Sequence, residues 1–462
     1  MQILSSIVHL SVDPIHHLMR LRAGLLPLLA CLTAISCATA RRPVHIDIAD
    51  GIRTGTGASV RFGVDTPSLP AGVRIEDGLS REEAVAVALW NNAAFQVSVS
   101  QLGFARADLV DAGMLANPVL SLLFPWGPKQ LEATLRWPAE ILWERPRRVS
   151  AAELSLESAA QGLVQSGLDL ALSVRLAYTD LALAVDRQTL ANEAAATLRR
   201  IDTLTQSRLA AGDIAELDAR AARVDAVRSA QDAERAVHDV TITRERLRLL
   251  IGLPVDDPSL NALQSSGEAE RCGSVADILK RALAARPDLR AAELTVEAAA
   301  ARLGWEKSRI LTLTAVLDAN GQGREGFEMG PGIDVGIPLF NRNQGGRLRA
   351  ETELQRASAA YVQLQQQVGL DVREASALFD QARQSRLAWG DRIVTPLRAN
   401  LTGAEESYAA GESSYLFVLE NSRRLIEARV REREIAADEQ RAQARIERAA
   451  GTACHDLSRG TQ

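Results

Sequence analysis

The sequence predicts a mainly α-helical chain carrying two β-hairpins, with helices suited to long coiled coils rather than a compact core. Three observations predict this. Ala, Leu, Glu, Gln and Arg dominate the 462 residues and aromatics are only 4%, which favours long helices over a sandwich or an aromatic-lined cleft. The pattern of motifs is written twice along the chain. Each copy also changes its hydrophobic period once, from 3.6 to 2 and back. The length exceeds one ordinary domain. Charged residues make up 24%, the net charge is −5, and no basic stretch is interleaved with aromatics, so nucleic acid is not an expected partner.

The chain opens on an export signal, expected over residues 1–37. Arg20 and Arg22 form a positive region, Ala23 to Ile35 an apolar one, and small residues follow. Met19 reads as the start of translation, which leaves residues 1–18, with His16 and His17, upstream of it. Processing sites compete. Cys37 after Ala34-Ile35-Ser36 fits a bacterial lipobox, the reading adopted here. Cys31 follows better upstream letters but a very short apolar run, and Ala38-Thr39-Ala40 fits ordinary cleavage before Arg41. An extended segment is expected over 38–77. Cys272 and Cys454 meet an oxidising compartment and either pair or stay as two thiols.

The first repeat is expected over 78–253. Ser80 and Glu83 form a capping box that opens a helix. A hairpin over 117–138 follows, in which Leu131, Ala133, Leu135 and Trp137 alternate with Glu132, Thr134 and Arg136 across the short turn Trp126-Gly127-Pro128-Lys129. Beyond Pro138, an arm from about 147 to 210 spans roughly 90 Å of helix at 1.5 Å per residue. The arm breaks near Gly212, where a glycine reads as a left-handed helix stop. A linker is expected at 254–272. The second repeat, 273–452, has the same parts: Ser274 and Asp277 at a helix start, a hairpin over 310–338 with Leu311, Leu313, Ala315 and Leu317 alternating, Pro338, and a break near Gly411. Leu89 to Leu283 is a step of 194 residues, and Gly212 to Gly411 is 199. After the second break, Leu419, Ile426, Val430, Ala437 and Ala444 carry coiled-coil spacing. A tail, 453–462, ends the chain.

An exported four-stranded sheet with one apolar and one polar face fits a membrane barrel, with the apolar side to lipid and the polar side to water. Sheet edges cannot stay open in lipid, and four strands are too few to close, so several copies must share one barrel under cyclic symmetry. Leu131, Leu135, Leu313 and Leu317 are the expected lipid-facing residues.

Several segments carry a resemblance to a known family. They are the two helix starts, Ala116-Asn117-Pro118, Arg286-Pro287-Asp288-Leu289-Arg290, Ile337-Pro338-Leu339-Phe340-Asn341-Arg342-Asn343-Gln344-Gly345, and both Ala-Gly turns. In order and spacing, over about 75–452, they resemble the TolC-like outer membrane factors, the exit ducts of tripartite efflux pumps. The resemblance implies a homotrimer in which each protomer gives four strands to a transmembrane β-barrel, with the helices continuing as a periplasmic tunnel. It implies placement in outer membrane lipid, a periplasmic adaptor protein and an inner-membrane resistance-nodulation-division (RND) pump as partners, no cofactor and no enzymatic activity. The Asn-Arg-Asn-Gln-Gly form is similar to the branch serving cobalt–zinc–cadmium pumps, so heavy-metal cations are the expected cargo. Drug or small-molecule efflux and type I secretion remain the alternatives. The rival class is a non-conducting envelope coiled-coil lipoprotein, which leaves the hairpins unexplained.

The resemblance also implies sites. The turns at Gly212-Asp213 and Gly411-Glu412 are the tips where an adaptor docks. Family acidic positions after the second turn fall on Phe417 and Glu420; only Glu420 keeps the acid. In a trimer Glu420 makes a three-carboxylate ring that favours cations, with Phe417 as an apolar constriction; the alternative is a solvated charge and a core knob. Arg423 and Arg424 are candidates for ion pairs to a neighbour. No catalytic constellation or metal site is evident, since His45, His238 and His455 are isolated.

Overall fold

The structure is a computed structural model that describes residues 44–63, 67–75, 77–126, 131–253, 269, 272–321 and 326–454. The export signal with Cys31 and Cys37, the alanines at 38 and 40, residues 127–130 of the first turn, most of the 254–272 linker and His455 lie outside these residues. The chain falls into two units. Of Met1–Asp47 only the first helical residues, 44–47, are described; Ile48–Gln462 holds everything that follows.

The segment expected to be extended over 38–77 instead contains a helix, α1 (Val44–Thr56). Ile48 and Ile52 are buried, and Gly51 and Gly55 bring the helix close to a second one: a Cβ on Gly51 would sit 3.2 Å from Val164, and one on Gly55 would collide with Leu168. Isoleucines four apart, flanked by glycines four apart, make a narrow helical face that the eye reads as loop because of the glycines.

The element order then runs through twice. The first pass is α2 (Arg81–Asn91), α3 (Ala93–Gly113), β1 (Val119–Leu123), β2 (Leu131–Pro138), α4 (Ile141–Ala211) and α5 (Glu216–Ile251). The second is α6 (Val275–Ala285), α7 (Pro287–Ser308), β3 (Thr312–Gly321), β4 (Phe327–Gly336), α8 (Gln344–Trp389), a π-helical turn (Gly390–Val394), α9 (Thr395–Ala409) and α10 (Tyr415–Ala450). Ser80 caps α2 with the full capping box, accepting from Glu83 N at 3.3 Å while Ser80 N donates to Glu83 Oε2 at 2.8 Å. Ser274 caps α6, but the shorter Asp277 carboxylate takes the Ser274 hydroxyl instead of reaching back to the backbone. Each opening helix is broken at an equivalent place, Asn92 and Arg286, both in extended conformation.

The first arm begins at Ile141, six residues earlier than expected, and takes Pro146 inside its second turn. Its 71 residues span about 106 Å. In the second arm Pro396 cannot donate to the helix ladder, and the π-helical turn just before it absorbs the defect. The Trp389 indole secures this turn by donating to Ala428 O at 2.9 Å. The seam of α10 keeps part of the expected heptad: Ala437 and Ala444 are buried as expected, whereas in the first half Val418, Leu425 and Ala428 are buried and Leu419, Ile426 and Val430 sit at the margin. Cys272 and Cys454 form a disulfide, with Cα atoms 4.7 Å apart, which clamps the end of α10 to the start of the second pass. Both are buried with Ile278, Val372, Phe379 and Ile446.

The four strands form one antiparallel sheet in the order β1-β2-β3-β4, with β1 and β4 as its open edges.

Candidate functional site

The sheet's register sorts its side chains by polarity. Residues directly opposite one another in an antiparallel pair share a face. Leu120 is opposite Leu135, and Leu135 opposite Leu317, which is opposite Pro331. Leu131 is opposite Gly321, and Leu313 opposite Val335. The four leucines singled out by alternation thus stand on one face, together with Leu122, Trp137, Met329 and Ile333. The other face is polar. Thr134 donates to Asp318 at 2.8 Å, the Asn320 amide donates to the same carboxylate at 2.8 Å, and Arg136 lies 3.9 Å from Asp334. Phe124 and Trp126 at one end of the sheet, and Leu339 and Phe340 at the other, are exposed.

The far ends of the helices carry the two turns. Both are Schellman stops. Gly212 has φ 81°; its N–H reaches Leu209 O at 3.0 Å and that of Asp213 reaches Arg208 O at 3.0 Å. Gly411 has φ 82°; its N–H reaches Tyr408 O at 3.0 Å and that of Glu412 reaches Ser407 O at 2.9 Å. The two turns are held side by side. Arg208 donates to Tyr408 O at 3.2 Å, and its guanidinium stacks 4.8 Å from the Tyr408 ring centre. The Tyr415 hydroxyl donates to Asp225 at 3.0 Å, and burial together with that carboxylate pushes the phenol's pKa far up. A cleft of about 350 Å³ opens between the turns, lined by Arg208, Asp218, Asp225, Tyr408, Tyr415 and Leu416.

Phe417 and Glu420 lie three residues apart on the first turns of α10. Phe417 is 53% exposed. Glu420 accepts from Arg424 at 2.8 Å, and Arg423 pairs with Glu427 at 3.1 Å. The two arginines expected to reach a neighbour therefore pair within their own helix, at the i,i+4 spacing that needs no second chain.

A buried ion network, unforeseen from the sequence, braces the middle of the molecule. Arg175 lies between Glu82, 2.9 Å, and Glu447, 3.0 Å. Arg286, only 2% exposed, holds Asp288 at 2.6 Å and Asp371 at 3.0 Å. Arg448 joins Asp371 to Asp169 at 2.9 and 2.8 Å. Burial pushes the Asp371 carboxyl up, but Gln367 and the Arg286 and Arg448 guanidiniums outweigh it and hold the pKa below the usual range. The sequence signal was Arg286 before Pro287, a helix start with a charge where a small cap is usual. For the tip the signal was two of only four tyrosines flanking Gly411.

Among the described residues no group of His, Cys, Asp and Glu is placed to hold a metal ion, and no helix is long and apolar enough to cross a membrane. The latter says nothing of a β-barrel.

Residues 278–452 match the family model for the outer membrane efflux protein. The chain is 25% identical over 358 residues to the cobalt-zinc-cadmium resistance protein CzcC of Cupriavidus metallidurans, covering 76% of this chain and 85% of the relative. It is 23% identical over 446 residues to nodulation protein T of Rhizobium leguminosarum bv. viciae, 89% of each. Its fold matches the crystal structure of CusC with a TM-score of 0.69 at 19% identity, covering 85% of this chain and 99% of that one. With these likenesses, the twice-written order of helices and hairpins is similar to that of the outer membrane efflux proteins, whose family model the second pass matches.

Proposed function

We propose that three copies close their sheets into one twelve-stranded barrel in the outer membrane, and that their helices continue into the periplasm as a passive duct for heavy-metal cations. The single observation that carries this reading is the sheet: four strands, one face apolar from edge to edge, and both edges open. The ten residues of β3 rise about 3.4 Å each, and at a tilt near 40° they cross about 25 Å, the height of a barrel's apolar band. Trp126 and Phe327 at one end, and Trp137 and Phe340 at the other, supply aromatics where the two interfaces would lie.

The cargo reading rests on the Asn341-Arg342-Asn343-Gln344-Gly345 segment and on the likeness to the cobalt-zinc-cadmium resistance protein. Cations arrive from an inner-membrane RND pump through a periplasmic adaptor. The adaptor's helices lie in the cleft between the Gly212-Asp213 and Gly411-Glu412 turns, a helix-in-groove contact. Three copies of Glu420 ring the aperture and favour cations, with Phe417 as an apolar constriction beside them. Lipidation at Cys37 anchors the mature chain.

Conductance of the purified protein in a planar bilayer tests the reading, with Glu420→Gln alongside. Cation-selective channels from trimers, less selective in the variant, are expected. Folded monomers that never conduct would overturn the duct.

A further inference from the structure

The open edges β1 and β4 must be covered in a closed barrel, and the internal repeat says how. The two hairpins correspond pair for pair: Val119 opposite Arg136 becomes Thr312 opposite Gly336, and Leu123 opposite Glu132 becomes Val316 opposite Gly332. The second strand moves forward 200 residues, as Pro138 does to Pro338, which leaves 193 for the first, Val119 to Thr312. The seam of β2 against β3 is therefore a worked example of how the second strand of one hairpin meets the first strand of another. The same steps applied to that seam give the seam between two copies.

We propose that β4 of one copy pairs antiparallel with β1 of the next in this register: Ile337 opposite Leu122 of the second copy, and Val335 opposite its Phe124. These are the counterparts of Trp137 opposite Ala315 and of Leu135 opposite Leu317. The proposal rests on the shared-barrel reading and adds the join that the reading leaves open.

Two independent features of the chain agree with it. The first is polarity. The register sets the apolar face of β4 beside the apolar face of β1, whereas a slip of one residue would set Val335 against Leu123 and mix the faces. The second is exposure. Past β2 the chain keeps contact with β3: Ala139 N donates to Leu313 O at 2.7 Å, and Leu313 N donates to Glu140 Oε2 at 3.1 Å. The counterparts of Ala139, Glu140 and Leu313 are Leu339, Phe340 and Leu120. In the single chain these are 67%, 92% and 60% exposed, and the seam covers all three. Asn343 at φ 57°, bound through its amide to Glu306, fixes the bend that presents Leu339 and Phe340.

The test is oxidative cross-linking of the full chain in outer membranes. Ile337→Cys combined with Leu122→Cys is the matched pair; Ile337→Cys with Leu120→Cys or with Phe124→Cys shifts the register by two residues while keeping the face. A two-residue shift separates the Cα atoms beyond disulfide reach, so the matched pair is expected to give covalent dimers and trimers on non-reducing gels about tenfold more abundantly than either shifted pair. Val335→Cys with Phe124→Cys is a second matched pair should cysteine at 337 impair folding. Stronger cross-linking in a shifted pair, or none in either matched pair, overturns the register. Oligomer mass and conductance of the unoxidised variants separate the two ideas: conducting trimers joined elsewhere overturn this seam alone, while non-conducting monomers overturn the shared barrel itself.

Discussion

Arg286 shows how a single residue can carry more than its sequence context announces. It is almost wholly buried, caps the start of α7 beside Pro287, and holds two carboxylates from two elements. Removing one partner of a buried pair strands the other. Arg286→Met is expected to cost about 3 kcal/mol in chemical unfolding of the detergent-solubilised protein, since Asp371 keeps Arg448 but Asp288 loses its partner. The acid side follows from the lowered pKa of Asp371. A carboxyl held below its ordinary value contributes stability that is complete above about pH 4 and is lost as pH falls through the lowered folded value. Melting temperature should therefore fall on acidification in the native protein, and less steeply in Arg286→Met. Equal slopes would show that the network does not couple to protonation.

At the scale of elements, what could be read from the sequence was what repeats at short range. Strand alternation marked Leu131, Leu135, Leu313 and Leu317, and the register puts them on one face because a period of two leaves no other choice. The Ala-Gly breaks marked both Schellman stops. What escaped was set by packing partners distant in sequence. Helix α1 needed Val164 and Leu168 to make sense of Ile48, Gly51 and Ile52. The first half of the α10 seam runs through 418/425 rather than 419/426 because both rows are apolar there, and only the neighbouring helices choose between them. Apart from Arg286 with Asp288, the ion network pairs residues tens to hundreds of positions distant. The disulfide was one of two open readings, and only the fold brings Cys272 to Cys454. The glycine stops differ in what surrounds them, and this is testable. At Gly212 an added Cβ meets open space, so Gly212→Ala should cost only the left-handed backbone penalty, about 1–2 kcal/mol. At Gly252, with φ 69°, the Cβ would also run into the Asn91 carbonyl and lie 3.0 Å from Asn92 N. Gly252→Ala should therefore lower the thermal midpoint clearly more than Gly212→Ala; equal losses would mean that the α5 end relaxes away from Asn91.

For the whole molecule, the decisive property is that one sheet has an apolar and a polar face. A helical scaffold would leave both faces of the sheet to water, and substitutions on either would then cost about the same. A barrel makes them unequal. Leu135 and Thr134 are neighbours near the middle of β2, at almost the same depth, but Leu135 stands with Leu120 and Leu317 while Thr134 stands with Ser121 and Asp318. An arginine facing the bilayer near its midplane costs about 2–4 kcal/mol, and on the water-filled side it has water and here a carboxylate beside it. Leu135→Arg should therefore sharply reduce the folded, heat-resistant oligomer recovered from outer membranes, and urea titration in lipid vesicles should show the loss in stability. Thr134→Arg should assemble normally and reduce cation selectivity in a bilayer, since three added positive charges then line the lumen. Equal tolerance of both substitutions would place the sheet outside the membrane and return the scaffold reading. Equal intolerance would mean that the polar face is packed against protein rather than open to water.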